Sequence, residues 1–125
     1  MTPTPGRYLL DTCILVHMIR GSPLARAANQ RFQLLANPTR PLISVVTVGE
    51  CRSFALKCKW ASARQSRMDE ALQELVVVDI NNEPILSRYA EIDAFCQSNG
   101  KSLSNNDLWI AATASMTESL LLTTD

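Results

Sequence analysis

Asp11, Glu50, Asp107 and Asp125 are four acids whose places along the chain fit a shared chemical task. Asp11 directly follows Tyr8-Leu9-Leu10, and Asp125 directly follows Leu120-Leu-Leu-Thr-Thr124; both runs read as strands of a parallel sheet covered on both faces. Glu50 is expected in the first turn of the helix after Ile43-Ser-Val-Val46. Asp107 is expected in the first turn of the helix opened by Ser104-Asn-Asn106. In open parallel α/β sheets, ligands gather outside the carboxyl ends of the strands, so all four acids can converge on one edge. Four carboxylates within about 5 Å would repel by roughly 3 kcal/mol per pair at an effective dielectric of about 20. A hard divalent cation relieves that conflict. Mg²⁺ and Mn²⁺ prefer oxygen donors, lower the pKa of a bound water and stabilise charge building on a phosphoryl oxygen.

Each acid also has a plain structural reading. Thr47-x-x-Glu50 and Ser104-x-x-Asp107 both match a capping box, in which a first-turn acid satisfies a free backbone N–H. Asp11 suits the N-cap of a helix starting at Thr12, and Asp125 suits a solvated terminal carboxylate. What distinguishes the four is their common position at element ends. No histidine is needed for this chemistry, and the single one, His17, falls on an apolar helix as a core or rim residue.

The elements that must position the acids follow from periodicity. Arg7 to Leu10 reads as a strand, followed by a helix in which Ile14, Leu15, Met18 and Ile19 share a face. Gly21-Ser22-Pro23 ends it; a second helix covers Leu24 to Leu35 and stops at Asn37-Pro38. A short β-branched run from Leu42 to Val46 reads as a buried strand. Helices are expected from about Val48 to Lys57 and from about Ala61 to Leu75, then a strand from Val76 to Asp79. Asn81-Asn-Glu-Pro84 opens a helix striped by Ile85, Tyr89, Ile92 and Cys96, and Asn99-Gly100 closes it. A helix from Asn105 to Met116 and a strand from Leu120 to Thr124 complete the chain. Strands alternating with helices predict an α/β fold, a three-layer α/β/α sandwich with a central parallel sheet.

Length suits one domain over residues 1–125, with 1–6 as an unstructured lead. A hydrophobic share of 46% and a charged share of 19% fit a globular chain rather than a disordered one. Cys13, Cys51, Cys58 and Cys96 form no C-x-x-C pair, and one histidine leaves no zinc set, so they read as reduced thiols of a cytoplasmic protein. The apolar stretch from Thr12 to Ile19 is far below the roughly 20 residues of a membrane span, and no signal peptide is visible. Net charge is zero, which argues against a strongly electrostatic partner. Yet Arg52, Lys57, Lys59, Arg64 and Arg67 lie in a stretch without an acid. Such a cluster serves either as a solvated face or as a modest guide for a nucleic-acid backbone. An apolar face around Val16, Ile19 and Leu24 suits core packing or a partner helix.

Tyr8-Leu-Leu-Asp-Thr-Cys-Ile-Leu15, Ser44-Val-Val-Thr-Val-Gly-Glu50, Asn106-Asp-Leu-Trp-Ile-Ala-Ala-Thr-Ala114 and Leu121-Leu-Thr-Thr-Asp125 resemble the four acidic motifs of PIN-domain nucleases, with VapC-type toxins as the nearest likeness. The motifs come in the family's order and span nearly the whole chain; the Asn106 to Ala112 run is the most specific. The resemblance implies a PIN-like sandwich and a metal-dependent endoribonuclease, the toxin of a toxin–antitoxin pair. It carries Asp11, Glu50, Asp107 and Asp125 over as ligands of one or two Mg²⁺ or Mn²⁺ ions, with Thr124 as the supporting hydroxyl. A metal-activated water would then attack the RNA phosphodiester in line, leaving 5′-phosphate and 3′-hydroxyl ends. It also implies a VapB-like antitoxin and a homodimer.

Two departures stand out. Cys13 replaces a usual small polar residue such as asparagine, which predicts a looser hold on Asp11. The chain stops on Asp125 where relatives usually continue, so the expectation is either a truncated C-terminus or an extra α-carboxylate beside the site. Other readings fit less well. A haloacid-dehalogenase-like phosphatase needs a second aspartate where Cys13 stands, and a receiver domain needs a late lysine beyond Lys101. An inactive PIN-like binding module and a housekeeping RNA-processing nuclease are the alternatives.

Overall fold

The computed structural model describes residues 3–34 and 39–124. Four strands and six helices alternate along it: β1 (Tyr8–Leu10), α1 (Thr12–Arg20), α2 (Pro23–Phe32), β2 (Leu42–Ser44), α3 (Val45–Lys57), α4 (Ser62–Gln73), β3 (Val76–Val78), α5 (Glu83–Ser98), α6 (Asn105–Thr117) and β4 (Leu120–Leu122). The strands form one parallel sheet in the order β3-β2-β1-β4. The expected α/β/α sandwich is what the chain adopts. Helix α2 ends at Phe32, short of the expected Leu35, because Gln33 turns left-handed (φ 53°) and its N–H bonds the Asn29 carbonyl; Asn37-Pro38 lies outside the described residues.

Strand alternation sorts the core. Successive side chains on a strand point to opposite faces. Leu10, Ile43 and Leu122 therefore face one way, where they meet Ile14, Leu15 and Ile19 of α1, Cys51 and Ala55 of α3, and Met68 of α4. Leu9 faces the other way, against Ile110 and Ala114 of α6, with Leu42 and Leu121 beside it. Helix α5 packs on α6 and completes that outer layer. Val16 and Ile19 are core residues, so of the face expected around Val16, Ile19 and Leu24 only Leu24 is exposed.

Two expectations need correction. The sheet is not buried throughout: Val76 and Val77 of β3 are 44% and 45% exposed, and Leu120 of β4 is 42% exposed. These strands are the two edges, where one neighbour is missing. Second, β2 ends at Ser44 and α3 begins at Val45, not near Val48. The Ser44 side chain accepts from the backbone N–H of Val46 and caps the helix. That cap overrides the strand preference of Val45 and Val46.

The turn between α1 and α2 takes one glycine. Gly21 adopts φ 66°, a left-handed conformation that costs other residues more, and its N–H bonds the carbonyls of His17 and Met18. The chain before β1 is fastened from Thr4, whose N–H donates to Glu118 O at 2.7 Å. Arg7 adds a bond from Nη1 to Thr117 O at 2.7 Å.

Candidate active site

Asp11 follows β1 in extended conformation (φ −70°, ψ 158°) and caps α1. Its Oδ1 accepts from Thr12 N–H at 2.7 Å. Its Oδ2 accepts from the Thr123 hydroxyl at 2.8 Å and from the Cys13 thiol at 3.6 Å. The plain capping role is thus met, and it leaves Oδ2 facing the end of β4. The hydroxyl on Asp11 comes from Thr123, and the neighbouring Thr124 donates its backbone N–H to Cys13 Sγ at 3.5 Å. Cys13 therefore links Asp11 to the end of β4, so its thiol takes part in holding the carboxylate.

Glu50 stands in the second turn of α3, because the helix starts at Val45. The expected capping box with Thr47 does not form. Thr47 is fully buried, and its Oγ1 lies 3.2 Å from Thr12 Oγ1. Thr12 Oγ1 in turn donates to Glu50 Oε1 at 2.7 Å. This uncharged residue joins two acids, one through its backbone and one through its side chain. Sequence reasoning had no signal for it beyond a polar residue at a helix start.

Asp107 lies in the first turn of α6, whose N-cap Ser104 accepts from Asp107 N–H at 3.2 Å. Its carboxylate is exposed and shares a recess of about 160 Å³ with Asp11, Thr123 and Leu103. Glu50 lines the neighbouring cleft of about 510 Å³ together with Thr12 and Asn106, the residue before Asp107. Asp11 and Asp107 thus line one recess beyond the carboxyl end of β1, and Glu50 lines the next one, held to the start of α1 by Thr12. Asp125 lies outside the described residues.

The donors are all carboxylate and hydroxyl oxygens, apart from the Cys13 sulfur, and oxygens suit Mg²⁺ or Mn²⁺. Among the described residues no three His, Cys, Asp or Glu side chains stand close enough to share one ion. Asp11, Glu50 and Asp107 therefore match the ion in chemistry without closing a shell by themselves. They carry no protein cation either: the one ion pair among the described residues joins Arg88 and Glu91 on α5.

The five basic residues of the acid-free stretch divide by location. Lys57, at the end of α3, lines the cleft with Glu50. Arg64 lies over the Trp60 ring at 5.6 Å. Arg67 lines a separate pocket between α1 and α4, beside Glu70 and Glu74. Arg52 and Lys59 are solvent-exposed. His17 bonds Ser22 Oγ through Nδ1 at 2.9 Å, which makes it a rim residue of α1 away from the acids. Burial, aided by the charge of Glu50, pushes the Cys51 thiol up to about 11, so it stays protonated and inert.

A PIN domain is the family description that fits this chain, over residues 8–125. The chain belongs to the PIN-domain family. Relatives of this PIN domain include Ribonuclease VapC1 of Haemophilus influenzae strain R2866, 33% identical over 117 residues, covering 93% of this chain and 84% of that protein. Ribonuclease VapC2 of Rickettsia felis is 30% identical over 116 residues, covering 93% and 84%. Among solved structures, VapBC2 of Rickettsia felis bound to a promoter DNA fragment matches with a TM-score of 0.82 at 28% identity, covering 95% of this chain and 88% of that one. VapBC-1 of nontypeable Haemophilus influenzae matches with a TM-score of 0.78 at 25% identity, covering 95% and 87%. No helix among the described residues is long and apolar enough to cross a membrane.

Proposed function

We propose that this PIN domain is an endoribonuclease, the toxin of a toxin–antitoxin pair, and that it works with Mg²⁺ or Mn²⁺. The observation that carries the reading is that Asp11, Glu50 and Asp107, far apart in sequence, line adjoining recesses at one end of the sheet. Relatives named ribonucleases and neighbours solved as VapBC complexes support the substrate class and a VapB-like antitoxin partner. Asp125, directly after Thr124, is proposed as the fourth acid, and a homodimer as the assembly. An RNA substrate and four free thiols both suit the cytoplasm.

In this reading Asp11, Glu50, Asp107 and Asp125 hold the ion. A divalent ion so held would make water a competent nucleophile at neutral pH and stabilise charge on the phosphoryl oxygens. The chain's own part is orientation. Thr12, Thr123 and Cys13 fix the carboxylates of Asp11 and Glu50 before any ligand arrives, which spares that ordering during the reaction.

Cleavage of a labelled RNA in Mn²⁺ by the unaltered protein and by Asp11→Asn tests the assignment. Loss of about a hundredfold or more in the variant is expected, since orientation and metal binding fail together. Equal cutting by both preparations would assign the activity to a contaminant and leave a binding module as the better reading.

A further inference from the structure

The cleft beside Glu50 has an organisation that metal binding alone does not require. Its one wall is a stripe of α3 formed by Val46, Gly49, Glu50, Ser53 and Lys57, residues three or four apart that share a helix face. Asn106 of α6 and Thr12 of α1 close the side next to the acids, and Phe54 adds an apolar surface. The volume of about 510 Å³ lies within the roughly 300–1,000 Å³ usual for small-molecule sites. Charge is laid out along it, with the Glu50 carboxylate at one end and the Lys57 ammonium seven residues on. At about 1.5 Å per residue the two are separated by about 10 Å along the axis. Lys57 makes no salt bridge among the described residues.

Gly49 keeps this cleft open. It is helical, so no unusual backbone angle calls for glycine, and a Cβ built there meets nothing within 4 Å. Glycine is a weak helix former. At this position its effect is to leave space on the face between the acid and the lysine.

We propose that the cleft between α3 and α6 seats the nucleotide adjoining the cut in a single-stranded RNA, and that Lys57 holds that nucleotide's far phosphate. The proposal rests on the ribonuclease reading above. A lysine with no ion pair among the described residues complements a phosphate, and the apolar Val46 and Phe54 side chains give a base van der Waals contact, the Phe54 ring itself being held between Arg20 at 5.5 Å and Trp60 at 5.6 Å. Hydroxyl and amide groups of Ser53 and Asn106 lie within the same cleft, where a ribose 2′-hydroxyl can be met. Lys57 and Gly49 thus act as substrate-positioning residues, apart from the acids that hold the ion.

The test uses a fluorescein-labelled single-stranded hexaribonucleotide, with binding read by anisotropy over a salt series and cleavage read on a gel. Gly49→Leu fills the cleft while improving helix propensity. It is expected to lose about tenfold or more in both affinity and cleavage, with an unfolding temperature at or above that of the unaltered protein. Lys57→Ala is expected to weaken binding severalfold and lower the slope of log affinity against log salt by about 0.7, the value for one phosphate contact on a single strand. Lys57→Arg should restore the slope. Mn²⁺ affinity, measured by calorimetry, should stay unchanged in both Gly49→Leu and Lys57→Ala. If Gly49→Leu does not fold, the Lys57 series decides alone. Unaltered affinity and slope in the variants, beside normal cutting by the parent, would overturn the cleft proposal only. A parent that neither binds nor cuts the oligonucleotide would overturn both readings.

Discussion

Thr12 carries no charge, yet two of the acids depend on it. Its backbone N–H serves Asp11, its hydroxyl serves Glu50, and the same hydroxyl lies against the buried Thr47. Thr12→Val keeps the shape and removes only the oxygen, leaving Thr47 buried without that partner and Glu50 without its donor. A stability loss of about 1–2 kcal/mol is expected from urea unfolding, because unmet buried polar groups cost about that much. Activity should fall about tenfold, and Thr12→Ser should recover most of both. The place of Asp11 was legible in the sequence because a carboxylate directly after an apolar strand is a local pattern. Thr12 was not, since its partner Glu50 lies 38 positions away. The hydroxyl that reaches Asp11 is carried by Thr123, and two threonines in a row after a strand ending at Leu122 do not declare which of them faces the acid.

At the scale of elements, the error over α3 had a definite cause. Val45 and Val46 look like a continuing strand, and the side chain of Ser44 decides otherwise. The shift moves Glu50 from the first turn into the second, where a helix face rather than a free N–H sets its role. The strands show a similar contrast. Leu9-Leu10, Ile43 and Val76-Val77-Val78 are equally apolar in sequence, but only the first two sets lie in strands with neighbours on both sides. Leu10→Ala, in the fully buried centre, is expected to cost about 2–5 kcal/mol. Val77→Lys, at the edge, is expected to change stability by no more than about 1 kcal/mol and to reduce self-association of the strand edge. Chemical denaturation of both variants, with light scattering for the second, checks the pair.

For the whole molecule, the alternation of strands and helices was enough to specify a parallel sandwich. The order of the strands, and the layer each helix joins, were not readable from runs of three apolar residues. With the four proposed ligands set aside from the twelve acids, eight remain against twelve bases, and a loaded site would leave a mildly basic surface. Ion binding should also be visible without catalysis. At Mn²⁺ a hundred times above its dissociation constant, the folded state gains about 2.7 kcal/mol by mass action, provided the unfolded chain does not bind it. Thermal unfolding of the unaltered protein should shift upward accordingly and return on adding a chelator. Asp11→Asn should show a much smaller shift. An identical response in the two proteins would detach the ion from this site.

Parallel strands give the sheet two unlike rims. Asp11, Glu50 and Asp107 lie toward the rim where β1 and β4 finish, while Thr4 and Arg7 are stitched to Thr117 and Glu118 at the rim where those strands begin. A dye carried on Thr4 would hang beneath the sheet, on the far side from the cleft. The same dye on Thr124 would stand beside Cys13 and Asp11 and crowd any strand of RNA approaching them.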